Sequence, residues 1–224
     1  MAFSCTRSHS TILLSAIILT ACASATRSAG PAPSAPPPDA QGEAAAIARA
    51  RADSLRYPYT AADVRFMSAM IKHHAQAIDM SRLAPTHDAG PSVRRLAERI
   101  INAQQDEIAT MQQWLADRRQ PVPEAKAGPM KMTMGGMEHE MLMPGMLTDA
   151  QMTQLDQARG PEFDRLFLTF MIQHHRGAVS MVKELFSTYG AGQDEAVFKF
   201  ASDVNVDQST EIARMERMLA AIAP

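Results

Sequence analysis

The chain has 224 residues and a net charge of −2, with 22 Lys and Arg set against 24 Asp and Glu. That length suits one or two domains, and that balance excludes a nucleic-acid partner, which needs a concentrated basic surface. Its two cysteines, Cys5 and Cys22, both lie near the N-terminus.

Thr11–Ala21 is a short apolar run preceded by Arg7 and by no acidic residue, ending in Leu19-Thr20-Ala21-Cys22. It is too short to cross a membrane and has the shape of a secretory signal. The last four residues resemble a bacterial lipobox, in which the Cys is acylated and becomes the first residue of the mature protein. Residues 1–21 are therefore expected to be a signal peptide and Cys22 a lipidation site. Ala23 after the Cys implies retention in the outer membrane, so the expected location is periplasmic and lipid-anchored. Cys5 would leave with the signal and Cys22 would carry lipid, so no disulfide forms and any metal site is thiolate-free. Residues 22–42, rich in Ala, Ser and Pro, read as a tether.

Residues 43–224 are expected to form an all-α bundle domain. Glu43 to Arg56 is Ala-rich and suits a short helix stopped at Tyr57-Pro58. Thr60-Ala61-Ala62-Asp63 is a capping-box pattern opening a helix that runs to about Leu83. After Gly90-Pro91, Val93, Leu96, Ala97, Ile100, Ile101, Gln104, Ile108, Met111 and Leu115 recur at helical steps, and Pro121 and Pro123 end the pattern. Thr148-Asp149-Ala150-Gln151 is a second capping pattern, for a short helix stopping at Gly160. Pro161 suits the first turn of a long helix to about Tyr189-Gly190. A last helix spans roughly Asp194 to Ala221, and no segment shows the alternation of a strand.

Met70–Met80, MIKHHAQAIDM, is echoed 101 residues later by Met171–Met181, MIQHHRGAVSM. At the helical period, Phe66, Met70, His73, Ala77 and Met80 share a stripe with Met67, Ile71, His74 and Ile78 beside it. Arg65, Lys72, Gln76 and Asp79 gather opposite. Both histidines and both methionines of each copy thus belong to a core-facing side. Methionine fills core gaps and a buried His is commonly a satisfied one. Four imidazoles in one small core, however, need four separate hydrogen-bonding explanations. Imidazole and thioether together suit copper, thioether especially Cu(I).

The echo extends further. Asp63 and Phe66 match Asp164 and Phe167, while Gln104, Glu107-Ile108-Ala109 and Met111 match Gln208, Glu211-Ile212-Ala213 and Met215 at an offset of 104. Each copy is one helical hairpin, residues 60–118 and 148–221, and neither buries its apolar stripe alone. Two such hairpins predict a four-helix bundle with a long crossover, residues 124–147. Paired D-x-x-F-x-x-x-M-I-x-H-H-x-x-A-x-x-M hairpins, from Asp63 and again from Asp164, resemble the ferritin-like bundle family catalogued as domain of unknown function 305. That family includes CopM-like copper-binding proteins of the bacterial periplasm. The resemblance covers about Thr60 to Leu219 and implies an extracytoplasmic bundle, with copper binding in some members.

The crossover concentrates seven of the 17 methionines: Met130, Met132, Met134, Met137, Met141, Met143 and Met146, with His139 among them. Gly and Pro interrupt any regular element there. These residues read either as a flexible Cu(I) trap or as an adaptable apolar surface for a partner. The candidate metal ligands are accordingly Met70, His73, His74, Met80, Met171, His174, His175, Met181, His139 and the crossover methionines. The expected function is copper buffering, sequestration or delivery without catalysis, with Cu(I) preferred over Cu(II), no organic cofactor, and a transfer partner the sequence does not identify. The alternatives are a tethered interaction protein docking through the Met-rich segment, and a di-metal carboxylate oxidase. The oxidase needs Glu-x-x-His on two helices, and no Glu stands three residues before a bundle His. Glu107 and Glu211 read instead as flanking residues or contacts to the histidines, and Asp63 and Asp164 as outer hydrogen-bond partners of a ligating His or as helix N-terminal charges.

Overall fold

Thr60 and Asp63 close the predicted capping box. The Asp63 amide donates to the Thr60 hydroxyl, and the Asp63 carboxylate accepts from the Thr60 amide at 2.6 Å. This cap starts α1 (Ala61–Arg82), which a 3-10 turn (Ala84–Thr86) connects towards α2 (Pro91–Asp117). The protein is seen in a computed structural model that describes residues 58–134 and 137–222, with Gly42 and Ala45. The signal peptide, Cys22 and, those two residues apart, the tether and the Ala-rich stretch lie outside the described residues. After α2 come β1 (Met130–Met134) and β2 (Met137–Met141), then α3 (Asp149–Gln157), α4 (Gly160–Ser187) and α5 (Glu195–Ile222). Thr148 and Gln151 form the second capping box, and Pro91 and Pro161 sit in the first turns of their helices, as their fixed φ favours. The all-α bundle predicted from the two repeats is what forms, and each main helix ends within a few residues of the predicted stop.

The hairpins α1–α2 and α4–α5 pack through α1 and α4. These two central helices run in opposite directions. Met70 near the start of α1 shares a core with Met181 towards the end of α4, whereas Met80 shares the other core with Met171. Two apolar cores result, one on each side of the level where His73 and His174 meet. The duplicated Asp residues tie the halves together reciprocally. Asp63 accepts from the Gly192 amide at 2.7 Å, and Asp164 accepts from the Gly90 amide at 3.0 Å, each carboxylate binding the interhelical loop of the other hairpin. They are loop clamps, and the expected hydrogen bond to a ligating His is not made.

One further expectation is corrected. The crossover is not wholly irregular, because residues 130–141 form an antiparallel hairpin pairing Met130 with Met141, Met132 with His139 and Met134 with Met137. Two residues, Gly135-Gly136, separate the strands, and a Gly pair at that spacing is a hairpin signal. Strand residues alternate between faces, so the register puts Met130, Met137 and Met141 on one face and Glu140 on the other. The polar side of α1 is only partly solvated, with Arg65 exposed and Asp79 half-buried. Gln76 is buried, and its amide donates to the Leu147 carbonyl at 2.9 Å and accepts from the Leu147 amide at 2.7 Å. The Lys72 ammonium reaches the Pro129 carbonyl. The crossover lies against that side and takes up Lys72 and Gln76.

Candidate metal centre

The repeated helical pattern places all four bundle histidines inside, and each is fully buried. The His73 and His174 rings meet with centroids 3.8 Å apart at 39°. His74 and His175 lie 6.5 and 6.3 Å from their chain neighbours, reaching towards α2 and α5. Each Nε2 has an oxygen close by. His73 Nε2–H donates to the Pro144 carbonyl and His174 Nε2–H to the His73 carbonyl, both at 3.0 Å. His175 Nε2 donates to Glu211 Oε2 at 2.8 Å. His74 Nε2 lies 2.7 Å from Glu107 Oε2, close enough for an ion pair but off hydrogen-bond geometry.

The Nδ1 atoms of His73, His74, His174 and His175 are all buried and have no hydrogen-bond partner among the described residues. A carbonyl only accepts, so His73 and His174 must carry their protons on Nε2, which leaves Nδ1 a lone pair in the neutral ring. Neutrality follows from the surroundings. Burial, then the neighbouring His74, pushes the His73 pKa down to about 3, against the pull of the Pro144 carbonyl. Burial, then His73, holds His174 well below the ordinary value. An imidazole oriented through one nitrogen with its other lone pair free is the usual state of a metal-ligating His. The same level holds Gln104 and Gln208, one turn before Glu107 and Glu211. Both side-chain atoms of Gln104, and Oε1 of Gln208, also lack partners among the described residues.

The candidate thioethers flank this layer. Met70 and Met181 belong to one core with Met143 and Met146; Met80 and Met171 belong to the other. Met130 is half-buried against the first core, while Met137 and Met141 are 65% and 49% exposed. Met132, Met134 and His139 have described backbone positions on the hairpin. Among the described residues no three His, Cys, Asp or Glu side chains converge as a metal cage. Glu107 and Glu211 each face a single His Nε2, as contacts to the histidines. What the layer offers is nitrogen lone pairs with thioethers above and below, a soft donor set. Two features escaped the sequence reading, the Pro144 carbonyl and the Gln76 clamp. A backbone oxygen carries no side-chain signal. The only hint for Gln76 is that its counterpart in the echo is Gly177.

A bundle of two HH-bearing hairpins, with imidazoles layered between thioether-lined cores, defines the class. The chain belongs to the Domain of unknown function (DUF305) family, whose profile matches residues 63–219. Among solved structures it is similar to a DUF305 protein of Streptomyces coelicolor, considered secreted, at 32% identity and TM-score 0.60, covering 72% of this chain and 93% of that one. A DUF305 fragment from Deinococcus radiodurans is 29% identical with TM-score 0.60, covering 73% and 99% of the two chains. CopM in its Cu(I)-bound form is also 29% identical, with TM-score 0.55 and coverage of 72% and 98%. CopM has been crystallised in Cu(II)-bound and silver-bound forms as well. No curated protein matches the chain in sequence.

Proposed function

We propose that this protein binds copper outside the cytoplasm, Cu(I) in preference to Cu(II), and buffers, sequesters or passes on the ion without catalysing a reaction. The observation that carries this reading is the layer of four buried imidazoles whose Nδ1 atoms have no partner among the described residues. A buried acceptor left unpaired costs about 1–3 kcal/mol, and a cation bound between such lone pairs offsets that cost. Copper is the cation for which imidazole and thioether are both good ligands. Kinship with CopM, which holds copper and silver, supports the same ion class here.

Bundle ligands would come from His73, His74, His174, His175 and the flanking Met70, Met80, Met171 and Met181. The hairpin residues Met130, Met132, Met134, Met137, His139 and Met141 would hold further Cu(I). The signal sequence and Cys22 would place the domain on a periplasmic membrane face. Cys22→Ser should then release it from membranes or leave an unprocessed precursor. Exposed Met137 and Met141 favour a second reading, an interaction protein that docks a partner through the hairpin.

Anaerobic Cu(I) titration against a chromophoric competitor separates the two. Replacing His73, His74, His174 and His175 together should abolish one class of site. Deleting Met130–Met141 should lower stoichiometry but leave the histidine-dependent class, and the deletion stops there because Met143 and Met146 are core residues. A quadruple variant that folds and binds as much Cu(I) as the parent would reject the copper layer.

A further inference from the structure

The bundle's approximate two-fold symmetry breaks in one chemical respect. Each core holds a matched trio of methionines, Met70, Met111 and Met181 on one side of the histidine layer and Met171, Met215 and Met80 on the other. The first core then holds Met67, Met143 and Met146 as well. In the second core the counterpart of Met67 is Leu168, the segment following the hairpin contributes Leu147 and Leu155, and the further methionines, Met152 and Met218, pack only partly buried at its margin. Leu and Met exchange in cores at small cost, so filling volume does not by itself call for sulfur on one side and leucine on the other.

The additional thioethers from the crossover follow one another in space. Met137 and Met141 are exposed on the hairpin, Met130 stands opposite Met141 in the register, and Met130 packs half-buried on the first core. Met143 and Met146 are buried within that core. Between them lies Pro144-Gly145, and the Pro144 carbonyl holds His73 Nε2 at 3.0 Å. Leu147, next in the chain, is the residue clamped through both backbone groups by Gln76. The thioether run therefore starts in solvent and ends at Met143 and Met146, which bracket the Pro144 contact that orients His73. The opposite approach, between α2 and α5, is flanked by Glu107, Glu211 and Asp207, oxygen donors that compete poorly for a soft ion.

Building on the copper reading above, we propose that Met137, Met141, Met130, Met143 and Met146 form a relay along which a soft monovalent cation, Cu(I) or Ag(I), passes from solvent to the buried histidines. Each step between methionines is a ligand substitution in which one metal–sulfur bond forms as another breaks, and the last exchanges a metal–sulfur bond for a metal–nitrogen bond to histidine. The ion is neither oxidised nor reduced, and no proton is released, because the thioether is uncharged throughout. Met143 and Met146 are waypoints, so they set the rate of loading and not the final occupancy.

The test is stopped-flow transfer of Cu(I) from a chromophoric chelator complex to the full chain. The phase lost on replacing all four bundle histidines is the core phase. Met143→Leu/Met146→Leu should slow that phase at least tenfold, leave its amplitude unchanged and retain the helical circular dichroism of the parent. Should the double variant not fold, each single Leu variant carries the same expectation in smaller measure. An unchanged core rate overturns the relay and leaves these methionines as packing. A reduced amplitude also overturns it, by making them equilibrium ligands. Absence of any histidine-dependent phase in the parent overturns the copper reading and the relay together.

Discussion

Mild acid should destabilise the metal-free protein over a range set by its buried histidines. His73 is held neutral in the fold, its pKa pushed from 6.5 to about 3 chiefly by burial, and His174 is displaced in the same direction. An unfolded chain protonates such a group first. Stability is therefore complete above about pH 6.5, falls as pH drops through that value, and goes on falling towards the folded-state pKa. One pKa unit is about 1.4 kcal/mol, so between pH 7.5 and 5 His73 alone should cost about 2 kcal/mol, with His174 adding to the loss. At a urea slope of about 1–3 kcal/mol per molar, the midpoint should fall by roughly 1 M or more. Asp79, Asp164 and Asp207, whose pKa values burial raises, bind protons more readily when folded and act in the opposite sense. The assay is urea unfolding of chelator-treated protein followed by circular dichroism, with His73→Gln as the comparison; the variant should lose part of the pH dependence. Equal midpoints for the parent at pH 7.5 and 5 would refute the buried-neutral reading.

Asp63→Ala removes the acceptor for the Thr60 and Gly192 amides and should cost about 2–4 kcal/mol in unfolding free energy. Copper stoichiometry should be unchanged, and a folded variant that loses copper would show that the clamp is not its main role. Glu107→Gln with Glu211→Gln should weaken Cu(I) binding about 10–100-fold, the usual effect of altering a group that orients a ligating His. An unaltered competitor titration would make these carboxylates bystanders. In Gly177→Ala the new Cβ would lie 1.9 Å from the Pro144 carbonyl oxygen, so the crossover must lift. A loss of about 1–3 kcal/mol is expected from overpacking, together with a changed His73 ring nitrogen resonance as the Pro144 contact loosens. Parent-like stability and resonance would show that the crossover is free to shift there.

The fold was legible because its main signals are local and doubled. Capping boxes at Thr60 and Thr148, prolines at the starts of α2 and α4, and apolar stripes on four helices all act within a few residues, and the echo of Asp63 at Asp164 fixed the count of hairpins. The buried histidines were legible for the same reason, since their stripe membership follows from periodicity alone. Less legible was whatever depends on a distant partner. Asp63 and Asp164 carry a cap signal in sequence, but their binding to Gly192 and Gly90 is a property of the assembled pair of hairpins. The β-hairpin is marked in the sequence by the Met–polar alternation of MKMTM and MEHEM and by Gly135-Gly136, but the surrounding Gly and Pro read as breaks in any regular element.

The positions where the two halves differ explain more about function than those where they agree. His, Met and Asp recur in both copies and build a layer that is nearly symmetric. Lys72 against Gln173, Gln76 against Gly177, and Met67 against Leu168 are among the departures, and the first two pairs meet the crossover. Lys72 holds Pro129, Gln76 clamps Leu147, Gln173 donates to Gly145, and Gly177 lets the Pro144–Gly145 backbone touch α4, where any side chain would collide. Gly145 itself has φ of +78°, a conformation that favours glycine. One copy thus supplies polar side chains and the other supplies space, and between them they fix a strap whose carbonyl sets the His73 tautomer. A symmetric pair of hairpins has no reason to prefer one side of its histidine layer. Divergence of Gln76 and Gly177 creates that preference, and the buried crossover methionines Met143 and Met146 lie on the side it selects.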